Sequence, residues 1–246
     1  MSCMRLQEIK IAILTTETTH HCYFVESIKK SFEEVVVFCE KQATDKLPFE
    51  TRHPFEDDRK KYELERWFEN QEVPIMKIAP THQIQSVNDD RTIELLLREE
   101  VDIIIIFGTS ILKEKIIKIF SDRLFNLHGG DPEHYRGLDS HLWAIFHKDF
   151  SRLVTTLHRL DSGIDTGDIV MQGKIMLAPK TPICAIRALN TEVCVRLATS
   201  LIDSISRYGK VTSRPQYAKG RYYSSMPTVL QSVCVSRFNS HVKKLL

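Results

Sequence analysis

Along the chain, short and almost unbroken apolar runs alternate with longer stretches whose apolar residues step by three and four. An unbroken run fits a strand covered on both faces, and the three-four step fits a helix with one buried stripe. Residues 9–14 (IKIAIL) predict a first strand, Phe24, Ile28 and Phe32 a helix, and residues 35–39 (VVVFC) a second strand. Residues 56–69 (EDDRKKYELERWFE) predict a solvated, charged helix with Tyr62, Leu64, Trp67 and Phe68 as its few apolar anchors. Residues 75–79 predict a third strand, and Asn88 or Asp89 caps a helix carrying Ile93, Leu96 and Leu97. Residues 101–107 (VDIIIIF) read as a central strand, followed by strands at 124–128, 154–160 and 169–176 and a short helix at 141–147. A long helix starts at Ile183, with Ile186, Leu189, Val193, Leu197 and Leu201 on its apolar face.

Strands alternating with helices predict an α/β fold: a Rossmann-like, doubly wound, mainly parallel sheet that binds ligands beyond the carboxyl ends of its strands. Those ends follow Leu14, Phe107 and His128. Residues 1–208 read as one domain and residues 209–246 as an extension without a clear period.

Charge narrows the ligand classes. Lys and Arg total 34 against 32 for Asp and Glu, so no global basic field draws the chain to nucleic acid or an anionic membrane, and any anionic substrate must be met locally. The apolar run at 11–14 is too short for a membrane span or a signal core, and the chain reads as cytoplasmic. Six cysteines (Cys3, Cys22, Cys39, Cys184, Cys194, Cys234) form no C-x-x-C pair and no zinc-type spacing; they read as buried free thiols, with no metal.

The turn after the first strand, TTETTHHCYF, lacks the glycines of a dinucleotide fingerprint, and no phosphate-loop motif follows. Its threonines, with His20 and His21 at a helix start, offer an anion site; helix capping is their other use. The informative stretch is FNLHGGDPEHYR, where Asn126 and His128, two apart on a strand, share a face beside a glycine pair. A second stretch, LDSGIDTGDI, is by composition only a loop with three aspartates.

In order and spacing, NLHGGDPEHYRG followed by DSGIDTGDI resembles the formyltransferases that use 10-formyltetrahydrofolate. The resemblance covers residues 75–207 well and the first 70 residues only as a Rossmann-like opening. It implies a catalytic set of Asn126, His128 and Asp165. It implies a folate site at Phe107, Gly108, Thr109 and Ile111, and at Leu160, Gly163, Ile164 and Gly167. Acceptor contacts would come from His20, His21, Gly129, Gly130, Asp131, Tyr135 and Arg136, with Tyr222, Tyr223 or Trp143 against the base and ribose. In this chemistry the Asn126 amide and a protonated His128 stabilise the oxygen of the attacked formyl group, while Asp165 favours the imidazolium and helps to route the amine proton.

Departures from the family pattern bear on the acceptor. Gly129-Gly130-Asp131-Pro132 replaces the serine and Leu-Leu-Pro stretch of many relatives, and only residues 209–246 follow the long helix, which speaks against a tRNA acceptor. TTETTHH lacks the phosphate-binding opening of the glycinamide ribonucleotide branch. What remains resembles the sugar N-formyltransferases, which implies a GDP- or dTDP-linked dideoxyaminosugar such as perosamine or 4-amino-4,6-dideoxyglucose, surface-polysaccharide (O-antigen) synthesis, and a homodimer. The alternatives are a 10-formyltetrahydrofolate hydrolase, in which water replaces the amine, a glycinamide ribonucleotide or methionyl-tRNA formyltransferase, and an inert binding module on the same fold.

Overall fold

β1 (Ile11–Thr15), α1 (Thr19–Ser31) and β2 (Val35–Glu40) open the chain as a β-α-β unit in a computed structural model that describes residues 9–41 and 48–245. There follow α2 (Glu56–Trp67), β3 (Thr81–Ile84), α3 (Asp90–Arg98), β4 (Ile103–Phe107), α4 (Glu114–Phe120) and β5 (Leu124–His128). The remainder is β6 (Tyr135–Gly137), α5 (Ser140–Phe146), β7 (Val154–Arg159), β8 (Ile169–Lys174), α6 (Ile186–Tyr208), β9 (Arg221–Tyr223) and α7 (Thr228–Val242).

Seven strands form one sheet in the order β3-β2-β1-β4-β5-β7-β8, parallel from β3 to β5 and antiparallel from β5 to β8. The expected mainly parallel α/β sheet is present. Alternate residues of each inner strand enter opposite layers: Ile11 and Ile13 join the core under α1 and α6, while Ala12 and Leu14 join the core under α3 and α4. This two-sided burial explains why β4 is apolar throughout and β1 is apolar up to Thr15 at its end. Strand order reverses between β1 and β4, so the crevice beyond Thr15 and Phe107 is where such a sheet takes ligands.

The third strand lies at Thr81–Ile84, not at 75–79, where Ile75–Lys77 is a single 3₁₀ turn. Pro74 and Pro80 bracket that run and have no N–H to give a ladder, so Ile75 and Ala79 pack as core pins instead. The actual strand, THQI, is polar because it lies at a sheet edge. The charged helix α2 is also less solvated than its composition suggests. Glu63 is fully buried, and Arg187 of α6 donates to its carboxylate from Nε (2.6 Å) and Nη2 (2.9 Å). Removing one partner of such a pair strands a buried charge, so Arg187→Met should lower stability by about 3 kcal/mol, read as a fall in denaturation midpoint.

The tail without a visible period contains α7, whose buried positions Gln231, Cys234, Phe238 and Val242 step by three and four. Gln231 obscures the stripe, yet its Nε2 donates to Met226 O at 2.9 Å. α7 packs on α5, and β9 pairs in parallel with β6. Cys22, Cys39, Cys194 and Cys234 are buried free thiols and Cys184 is half-buried; Cys3 lies outside the described residues. Among the described residues, no helix is long and apolar enough to cross a membrane.

Candidate active site

β5 and β7 bring the polar groups together. Their antiparallel register sets Asn126 directly opposite His158, and Asn126 Nδ2 lies 3.0 Å from His158 Nε2. His128 donates from Nε2 to the Tyr135 carbonyl at 3.0 Å, since a carbonyl can only accept. Its Nδ1 faces Asp165 Oδ2 at 3.4 Å, and Asp165 Oδ1 lies 3.5 Å from His158 Nε2. Asp165 also accepts the Gly137 N–H at 2.8 Å and adopts a left-handed backbone at φ 52°. A non-glycine residue held there is strained, and here both carboxylate oxygens face imidazoles. Gly130 makes room for the catalytic ring: a Cβ at that position would stand 2.5 Å from His128 Nε2.

Burial pushes His128 below the ordinary imidazole range, against the opposing pull of Asp165 and the Tyr135 carbonyl. Burial would raise the Asp165 carboxyl, but His128, His158 and the Gly137 N–H outweigh it and bring it down to about 2. Asp165 and the Tyr135 carbonyl thus work against the burial that disfavours a charge on the His128 ring. Nε2–H is committed to the Tyr135 carbonyl and Nδ1 faces the Asp165 carboxylate, so a proton arriving at Nδ1 gives the expected imidazolium, held between two acceptors.

Two cavities meet at this ring. The larger, about 610 Å³, is lined by Asn126, His128, His158 and Asp165 and by six of the eight expected folate residues: Gly108, Thr109, Ile111, Leu160, Gly163 and Ile164. The other two do not line it. Phe107 lies under the rings of His20 and His21, and Gly167 packs so tightly on the Arg159 carbonyl that a Cβ would approach it to 1.8 Å. The smaller cavity, about 210 Å³, is lined by Arg59, Gly129, Asp139, Arg187 and Asn190. His128, Gly137 and Leu138 line both.

The loops that shape the larger cavity are fixed. Glu40, at the end of β2, accepts from Ser110 N and Ser110 Oγ, both at 2.7 Å, and so holds the loop after β4. Gln216 of the tail donates from Nε2 to Asp165 O (2.8 Å) and Gly167 O (2.9 Å). Gly108 has φ +80°, and a Cβ there would stand 2.4 Å from His21 Nε2. Gly108→Ala should therefore lower stability by about 1–3 kcal/mol and weaken binding in this cavity, measurable by thermal denaturation and by titration with a folate analogue.

Several expected acceptor residues have other duties. His21 is buried, with Nδ1 3.0 Å from Thr16 Oγ1, and burial lowers its pKa to about 3; burial likewise holds His20 well below the ordinary range. Burial thus disfavours a positive charge on either ring. Asp131 is buried, in an ion pair with Arg152 (3.0 Å) and with His134 Nδ1 3.2 Å away. The Tyr135 hydroxyl donates to Asp149, and Arg136 is spent on the carbonyls of Gly220 (2.7 Å) and Ile164 (2.9 Å), pinning the Asp165 loop. Gly129 lines the smaller cavity, Tyr222 the larger, while Trp143 and Tyr223 stack on each other at 4.7 Å.

His158, Arg59, Arg187 and Asn190 were not among the expected site residues. His158 is one of several polar residues on the strand VTTLHR, and only the register shows that it faces Asn126. Arg59 and Arg187 come from helices far apart in sequence.

Comparison with known proteins places this geometry. A methionyl-tRNA formyltransferase of Chlorobium chlorochromatii is 33% identical over 126 residues, 51% of this chain and 38% of that protein; the chain spans about half or less of the length of such curated relatives. Among solved structures, the formyltransferase PseJ from Anoxybacillus kamchatkensis, in complex with UDP-4,6-dideoxy-4-formamido-L-AltNAc and tetrahydrofolate, shares the fold at a TM-score of 0.52 and 21% identity, covering 87% of this chain and 85% of that one. A 4-N formyltransferase from Francisella tularensis gives a TM-score of 0.56 at 18% identity, covering 93% of this chain and 87% of that one. Residues 10–188, which carry Asn126, His128 and Asp165, match the family described as Formyl transferase, and the chain belongs to that family.

Proposed function

We propose that the protein transfers the formyl group of 10-formyltetrahydrofolate, bound in the larger cavity, to the amine of a nucleotide-linked aminosugar entering through the smaller one. The observation that carries this reading is the His128 ring on the wall shared by both cavities. The amine nitrogen attacks the formyl carbon, and the oxygen that gains charge is met by the Asn126 amide N–H. His128 Nδ1 takes the amine proton, and Asp165, 3.4 Å away, stabilises the imidazolium that forms. When the C–N10 bond breaks, the same proton passes to N10, so tetrahydrofolate leaves neutral at that nitrogen and His128 returns to its resting form.

The acceptor class is supported by PseJ, which holds a formamido sugar nucleotide and tetrahydrofolate on this fold. Arg59 at the smaller cavity offers a cation to a diphosphate, its contact with the Glu56 carboxylate being a long one at 3.4 Å. The second reading, a methionyl-tRNA acceptor, is favoured by the name of the curated relatives.

The test mixes the protein with 10-formyltetrahydrofolate and, in turn, GDP-, dTDP- and UDP-linked aminosugars, methionyl-tRNA, glycinamide ribonucleotide or no acceptor, following release of tetrahydrofolate. Release with a sugar nucleotide alone is expected. Release without acceptor would make the protein a hydrolase, and release only with methionyl-tRNA would establish the second reading.

A further inference from the structure

We infer that His158 is a positioning residue for formyl transfer, holding the Asn126 amide so that a free N–H faces the reacting oxygen; the inference rests on the formyltransferase reading above. His158 is 3% exposed and stands opposite Asn126 in the β5–β7 register. Its strand changes register with β8 between Leu157 and His158, an irregularity of the kind that re-aims a side chain next to a site. Nδ1 lies 2.7 Å from the Arg159 carbonyl, so that nitrogen carries the hydrogen and, in the neutral ring, Nε2 is the acceptor. The Asn126 Nδ2 at 3.0 Å then donates to it. A planar amide with one N–H held in this way is fixed as a whole: its second N–H remains available and its Oδ1 is kept on the other side.

Without that partner the amide torsion has two broad wells about half a turn apart. The wrong well presents Asn126 Oδ1, an acceptor, to an oxygen that is gaining negative charge. Asp165 Oδ1 stands 3.5 Å from His158 Nε2, beside the ring but with no hydrogen to accept from a nitrogen whose lone pair takes the Asn126 N–H. His158 thus sets the donor that Asn126 presents without touching the substrate itself.

The experiment compares wild type with His158→Leu, which fills the space without polar atoms, and His158→Gln, whose side-chain oxygen accepts from Asn126. His158→Leu should lower kcat by about 10²–10³, leave KM for 10-formyltetrahydrofolate nearly unchanged and keep a wild-type melting profile. His158→Gln should recover to within about tenfold of wild type, the recovery expected if accepting one amide hydrogen bond is what matters. A readout independent of turnover is the Asn126 side-chain amide in proton–nitrogen NMR spectra, assigned by its loss in Asn126→Asp: protected from exchange in wild type and His158→Gln, unprotected in His158→Leu. A folded His158→Leu protein with wild-type kcat, or an amide equally protected in both variants, overturns the inference. Should no acceptor be formylated by wild type, the function proposed above fails, and the NMR comparison alone decides the role of His158.

Discussion

Replacing His128 by Asn lowers kcat by about 10³-fold, the loss expected when a positioned general base is removed, with folate affinity largely kept. Wild-type kcat/KM should be level above about pH 6.5, the ordinary imidazole value, and should fall in acid as His128 takes a proton. Because burial lowers its pKa, the fall begins below that value. Asp165 raises the His128 pKa, so Asp165→Asn should move the acid limb to lower pH as well as reduce kcat. Asn tolerates the left-handed backbone that Asp165 adopts, so this variant should fold. Profiles of kcat/KM against pH for the three proteins check the assignment; a His128→Asn protein with wild-type kcat would remove the ring from the mechanism.

Mild acid should unfold the protein, by an effect separate from catalysis. Burial lowers the pKa of His21 to about 3, and of His53 and His141 to about 4. The unfolded chain takes protons near the ordinary imidazole value, while the folded chain refuses them until much lower pH. Stability is therefore full above the unfolded value and is lost as pH falls below it. Three such rings remove about 4 kcal/mol per pH unit below about pH 6, against a total stability of about 5–15 kcal/mol for a domain. Melting temperature followed by circular dichroism should drop steeply between about pH 6 and 4.5. His141→Gln, which can still donate to the Val154 carbonyl that His141 Nε2 meets at 2.8 Å, should flatten the slope by about one third. A melting temperature constant down to about pH 4.5 would show that these rings are protonated in the fold.

The inner strands could be read from the sequence because β1, β2 and β4 are covered on both faces and are apolar but for Thr15 and Glu40 at the ends of β1 and β2. The edge strand Thr81–Ile84 could not, since an edge needs no apolar run, and the prolines flanking residues 75–79 were outweighed by that segment's hydrophobicity. Asn126, His128 and Asp165 came from motif order, and the structure brings the three side chains to one place. Which nitrogen of each imidazole carries a hydrogen was not legible, because it depends on which carbonyl the ring meets: Tyr135 for His128, Arg159 for His158. Arg136 looked like a free cation in sequence and is consumed by two backbone carbonyls. The smaller cavity draws on Arg59, Asp139 and Arg187, and no local motif records that juxtaposition.

The most direct measurement follows the fate of an isotope-labelled formyl group from 10-formyltetrahydrofolate in a single turnover, with a nucleotide-linked aminosugar present and the products separated by mass. The label is expected in a formamide on the sugar nucleotide, with one tetrahydrofolate released for each formamide formed, and in neither product when His128 is Asn. Label recovered as free formate, with the sugar nucleotide unmodified, would contradict transfer between the two cavities.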